Sequence, residues 1–126
     1  MLFGLQDDLY QTGARNFLFL NLPPFDRSPG GNYSEEVKDE ILKWNTLLPT
    51  QISNFTDTYP DVTAFLFDTQ ALWDEFYANP EEFNITDPDT IGGGLWYDQY
   101  HPSTEIQRVI GGRVAEFLKA QPSTVA

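Results

Sequence analysis

Apolar residues recur with helical spacing in three stretches of this chain and run without a break in two others. From Leu2 to Thr12, Leu2, Leu5, Leu9 and Tyr10 alternate with acids at a helical period, and Gly13 supplies a stop. Asn16 to Leu22 (NFLFLNL) is continuously apolar, the pattern of a strand buried on both faces, and Pro23-Pro24 ends it. After a loop rich in turn residues, Ser34 caps a helix whose inward positions are Val37, Ile41, Leu48, Ile52 and Phe55. Pro49 removes an amide donor from that helix, and a kink is expected there.

Asp61 to Thr69 reads as a second buried strand, followed by a short helix from Gln70 to Ala78 that Asn79-Pro80 closes. Glu81 to Leu95 holds three consecutive glycines and no periodicity, and reads as a long loop. A last helix places Ile106, Val109, Ile110, Val114, Phe117 and Leu118 on one face. Gly111 and Gly112 cost it about 1 kcal/mol each relative to alanine. Strands separated by helices pair in parallel through right-handed crossovers, so the class is α/β. Two strands cannot complete the sheet of such a domain, and the sheet reads as incomplete.

Composition narrows the chemistry. The 126 residues carry seven basic and nineteen acidic side chains, a net charge of −12. Such a surface repels phosphate backbones and anionic lipid, so nucleic acid and membrane partners are not expected. No apolar run approaches the roughly 20 residues of a membrane helix, and Met1 to Tyr10 lacks the features of a signal peptide. The absence of cysteine excludes disulfides and thiol catalysis. With one histidine and no calcium-loop spacing among the acids, neither a metal nor another cofactor is expected. Sequons at Asn32, Asn54 and Asn84 favour a secreted origin.

The only imidazole, His101, lies three residues after Asp98 and directly before Pro102. In one tight turn, an aspartate at i can reach an imidazole at i+3 and hold its Nδ1 proton, leaving Nε2 free to act as a general base. Ser103 can cap the next helix and fix the turn. By spacing alone the same four residues also fit a surface histidine near a helix start. Trp44 and Trp73 are placed in the core and Trp96 as a ligand contact. Asn21 and Pro23, after the first strand, are candidate cleft residues, and Asp68, after the second, reads as structural.

Three segments, LYQTGARNFLFLNLPPFDRSP, WNTLLPTQISNFTDTYPDVTAFLFDT and LWYDQYHPST, together resemble the C-terminal half of the SGNH (GDSL-type) hydrolases, most of all fungal secreted acetylesterases of plant carbohydrate. The resemblance implies an incomplete three-layer α/β/α domain, flavodoxin-like, with two parallel strands, about four helices and residues 1–126 as its C-terminal portion. It implies an extracellular ester hydrolase with a Ser-His-Asp triad, in which Asp98 and His101 are the acid and base. The family's Gly-Asp-Ser nucleophile and its oxyanion residues have no counterpart here. Ser28, Ser34, Ser53, Ser103 and Ser123 lack that setting. The expectation is a fragment that is inactive alone, completed by an N-terminal half or a second copy. The alternative is a non-catalytic carbohydrate-binding or interaction protein of the same descent.

Overall fold

The computed structural model describes residues 2–122. Ten elements follow in order: α1 (Leu2–Gln11), β1 (Asn16–Leu20), a 3-10 turn (Phe25–Arg27), α2 (Glu35–Thr58), β2 (Thr63–Phe67), α3 (Thr69–Ala78), a second 3-10 turn (Pro80–Phe83), β3 (Asp87–Ile91), β4 (Gly94–Trp96) and α4 (Thr104–Ala120). β1 and β2 pair in parallel, Asn16 opposite Thr63 through Leu20 opposite Phe67. The ladder gains one more bond, from the Asn21 amide to the Phe67 carbonyl (3.3 Å). It then stops because Pro23 and Pro24 have no amide hydrogen to donate.

Side chains alternate across a strand, so this small sheet feeds two cores. Phe17 and Phe19 of β1 join Leu48 and Phe55 of α2, with Leu2, Phe3 and Tyr10 of α1 packed against them. On the opposite face, Phe67 meets Leu72, Trp73 and Phe76 of α3 and Ile106 of α4, with Leu18, Val109, Ile110, Val114 and Phe117 around them. The sheet is therefore covered by helices on both sides, the layering of an incomplete α/β/α domain. Each large aromatic of the second core contributes roughly 1.5–3 kcal/mol through burial.

Local chemistry sets the helix ends. Gly13, at φ +106°, closes α1: the Ala14 amide donates to the Leu9 carbonyl (3.1 Å) and the Gly13 amide to that of Tyr10 (3.0 Å). The Ser34 and Ser103 hydroxyls accept from the Val37 and Ile106 amides, 3.3 Å each. Asp68 caps α3 by accepting from the Ala71 amide at 3.1 Å.

The structure corrects the reading of one segment and of several side chains. The segment Glu81–Leu95 is not an irregular loop: it holds the second 3-10 turn and the short β3/β4 pair, with Asp87 opposite Gly94 and Ile91 opposite Trp96. Gly94 makes this possible, at φ +104° and so close to Asn84 that a Cβ would sit 2.8 Å from its carbonyl oxygen. Pro49 lies inside α2, which runs unbroken for 24 residues. Trp44 is 42% exposed, outside the core, as are Val37 and Leu118. In place of Trp44, the inward position between Ile41 and Leu48 belongs to Asn45. Its amide bonds both main-chain groups of Leu22, at 2.8 Å each.

Candidate active site

The segment Leu95–Ser103 is a closed loop at the entrance to α4. Its ends are joined by the Ser103 amide donating to the Leu95 carbonyl (2.8 Å), and its middle by the Tyr97 amide donating to the His101 carbonyl (2.8 Å). Ser103 also donates its hydroxyl to the Gly94 carbonyl at 2.7 Å, tying β4 to the helix cap. Leu95, Trp96 and Ile106 beneath the loop are almost completely buried. The loop thus rests on packed core, which fixes the two side chains it presents.

Those side chains are Asp98 and His101. One carboxylate oxygen of Asp98 accepts the amide protons of Tyr100 and His101, both at 2.8 Å. The imidazole Nδ1 lies 3.0 Å from the same oxygen and 2.9 Å from the other. The Tyr100 amide, the His101 amide and the imidazole, in that order, hold the Asp98 carboxyl down to about 2. It is therefore an ionised, acceptor-only group at neutral pH, so Nδ1 carries the proton between them. Nε2 then faces away from the carboxylate with its lone pair open, on a ring whose side chain is 71% exposed. An imidazole oriented in this way can accept a proton from an incoming hydroxyl and return it to a leaving group.

The other candidates are placed differently. Asn21 is committed at both ends of its amide, donating to Asp68 at 2.8 Å and accepting from the Gln70 main chain at 3.1 Å. It joins the exits of β1 and β2, and Asp68 is the helix cap on the other side of that link. Pro23 is buried. Trp96 is 1% exposed and donates its indole N–H to the Pro88 carbonyl at 2.8 Å. Its burial makes it part of the floor beneath the loop, a correction to its reading as a ligand contact. The glycine amides nearby are also engaged, Gly92 with the Trp96 carbonyl and Gly93 with that of Thr90.

Among the described residues, no serine hydroxyl bonds the imidazole. Ser28 is buried and donates to the Phe25 carbonyl at 2.7 Å, Ser34 and Ser103 are caps, and Ser53 lies on α2. Ser123 lies outside the described residues. One contact was missed in the sequence: the Gly30 amide donates to the Gln99 carbonyl at 2.9 Å. Gly30 also lies so close to the Tyr100 ring that any side chain would displace it. The Pro29-Gly30-Gly31 triplet was a visible signal for such a close approach.

No family model matches the chain. It is 34% identical over 127 aligned positions to an acetylesterase of Thermothelomyces thermophilus, covering 93% of this chain and 42% of that protein. It is 30% identical over 88 positions, 64% of its length, both to a GDSL esterase/lipase of Arabidopsis thaliana and to a thermolabile hemolysin of Vibrio parahaemolyticus, 23% and 21% of those proteins. The chain thus spans less than half the length of these curated relatives. With helices on both faces of a parallel pair and these relatives, the chain belongs to the SGNH (GDSL-type) hydrolase family.

Proposed function

We propose that residues 1–126 form the C-terminal portion of a single SGNH hydrolase domain and supply the acid and base of its triad, Asp98 and His101. The substrate is an acetyl or other carboxylic ester of plant carbohydrate, and the complete enzyme acts outside the cell. The single observation behind this reading is the bidentate approach of Nδ1 to Asp98, which leaves Nε2 exposed for a serine. The acetylesterase relative supports the ester class. The two-stranded sheet supports completion by further strands, because a parallel pair alone leaves unpaired edges.

In this scheme Nε2 takes the proton of a serine hydroxyl as its oxygen attacks the ester carbonyl. Asp98 stabilises the resulting imidazolium, which then protonates the departing sugar alkoxide. The acyl-enzyme is cleared by water activated at the same nitrogen. Serine and oxyanion donors come from polypeptide outside this sequence.

The test is hydrolysis of p-nitrophenyl acetate by this chain alone and by the chain joined to a family N-terminal half carrying Gly-Asp-Ser. The chain alone is expected to be inactive and the joined form active. His101→Ala is expected to lower kcat in the joined form by about 10³-fold or more, and Asp98→Asn by a comparable factor. A folded joined form without activity, or one indifferent to His101→Ala, defeats the proposal.

A further inference from the structure

Leu95, Trp96 and Ile106 support the Asp98–His101 loop from beneath, but its tip, Gln99 and Tyr100, is exposed. That tip matters because the Tyr100 amide donates to the Asp98 carboxylate at 2.8 Å. A shift of Tyr100 therefore passes directly to the acid and on to the imidazole it holds. The segment after β1 reaches the tip from outside the loop at two points, both on Gly30. The Gly30 amide donates to the Gln99 carbonyl at 2.9 Å, and the Tyr100 ring lies against Gly30 with no room for a Cβ between them.

The segment that presents Gly30 is braced internally. Ser28 is 1% exposed, and its hydroxyl donates to the Phe25 carbonyl at 2.7 Å and accepts from the Gly31 amide at 3.0 Å. The Asn32 amide donates to the Ser28 carbonyl at 3.1 Å and the Tyr33 amide to the Asp26 carbonyl at 2.7 Å. Gly31 packs so tightly on the Phe25 carbonyl that no side chain fits there. Asn32 and Tyr33 are both left-handed, at φ 47° and 55°. A tyrosine holds that conformation only where its surroundings impose it, and such strain gathers where a functional geometry needs rigid support. Here the braced segment ends on the two residues that separate Asp98 from His101.

We infer that Gly30 is a positioning residue for the Asp98–His101 pair, clamping the tip of their turn through the Gln99 carbonyl and the Tyr100 ring. In assigning that pair to ester chemistry, the inference rests on the triad reading above; the clamp itself does not. Gly30 acts through Tyr100 and Asp98, so its effect falls on the angle at which the imidazole is offered and not on the binding of the ester. A displaced base loses rate more than affinity, and the clamp therefore reads out in kcat with KM unchanged. Glycine is required because any side chain would take the place of the Tyr100 ring.

The experiment compares Gly30→Ala, Tyr100→Ala and the double variant, in the chain and in the form joined to a family N-terminal half. In the joined form Gly30→Ala is expected to lower kcat for p-nitrophenyl acetate about tenfold or more with KM unchanged. Tyr100→Ala, at an exposed position, loosens the clamp without straining the Gly30 segment and is expected to lower kcat about threefold. The double variant is expected to match Tyr100→Ala alone, because the new methyl group then meets no ring. In the chain by itself, the Asp98 carboxyl is expected to titrate higher in Gly30→Ala, moving from about 2 toward the ordinary value of about 4 as the Tyr100 amide withdraws. Full kcat in both single variants, an unmoved Asp98 midpoint, or losses that add in the double variant overturn the inference. A raised Asp98 midpoint in a joined form without activity leaves the clamp standing and removes the triad reading. A joined form that depends on His101 but is indifferent to Gly30→Ala does the reverse.

Discussion

The two faces of the β1/β2 sheet are finished to different degrees. Under α3 and α4, Phe76 and Leu95 are 0% exposed and Trp96 and Ile106 1%, and those helices leave one large hydrophobic side chain open, Leu118. Under α1 and α2, Phe17 and Val62 retain 9% exposure, and Leu5, Leu9, Leu42, Trp44 and Leu47 lie open on the helices. The closed face is the one that carries the Asp98–His101 loop. The general base proposed for His101 must hold its orientation to a fraction of an ångström, and a packed floor provides that. The open face supports the proposal that further strands and helices complete the domain against α1, α2 and the free sheet edge.

The largest expected effect breaks the closed face. Phe76→Ala is expected to destabilise the chain by about 3–5 kcal/mol, read from urea unfolding, and to disturb the Asp98–His101 signals. Phe17→Ala is expected to cost less, because the surrounding face is already open and can relax into the gap. Equal losses would remove the distinction between the faces. Next comes Ser103→Ala, which deletes both the cap of α4 and the bond to Gly94. A loss of about 1–2 kcal/mol is expected, with amides of the first turn of α4 exchanging faster.

A finer test concerns the charge of the site. Asp98 has a carboxyl held below its unfolded value, so its stabilising effect is complete above the ordinary carboxylate range, about pH 4. It is lost as pH falls toward about 2, where the folded group takes up its proton. Side-chain carbon shifts of Asp98 followed by NMR are expected to titrate near pH 2, and a midpoint near 4 would show that the amide bonds are absent. The smallest effect sharpens the contrast from the other side. Leu42→Lys on the open face is expected to alter stability by no more than about 0.5 kcal/mol while improving solubility.

Much of this architecture was legible because it rests on local rules. The apolar run NFLFL reads as a strand and is one, although Asn16 and Leu20 stay exposed where burial on both faces was expected; Ser34 and Ser103 read as caps and are caps. The Asp98–His101 turn was legible for the same reason, since four residues contain the whole geometry. What the sequence hid depends on contacts between distant segments. β3 is polar and exposed along DPDTI, so no periodicity marks it; its pairing comes from the left-handed Gly92 and Gly94. Trp44 and Trp73 look alike in the chain, but on α2 the inward place went to Asn45, whose partner Leu22 is 23 residues away. Trp96 was read as a ligand contact because it ends a glycine-rich segment that reads as an open loop. Its indole proton is spent on Pro88, a partner that spacing does not reveal.

The parallel register of β1 and β2 has a consequence for how the chain reaches its native state. Their pairing must wait for a connection that contains the whole of α2 to close, whereas α3, the β3/β4 pair and α4 lie consecutively in the chain. The half that carries the Asp98–His101 loop is therefore a low-contact-order unit able to condense ahead of the sheet. In pulse-labelled refolding, the amides of α3 and α4 should acquire protection before those of β1, and the Asp98–His101 pair should be assembled while the first strand is still searching for its neighbour.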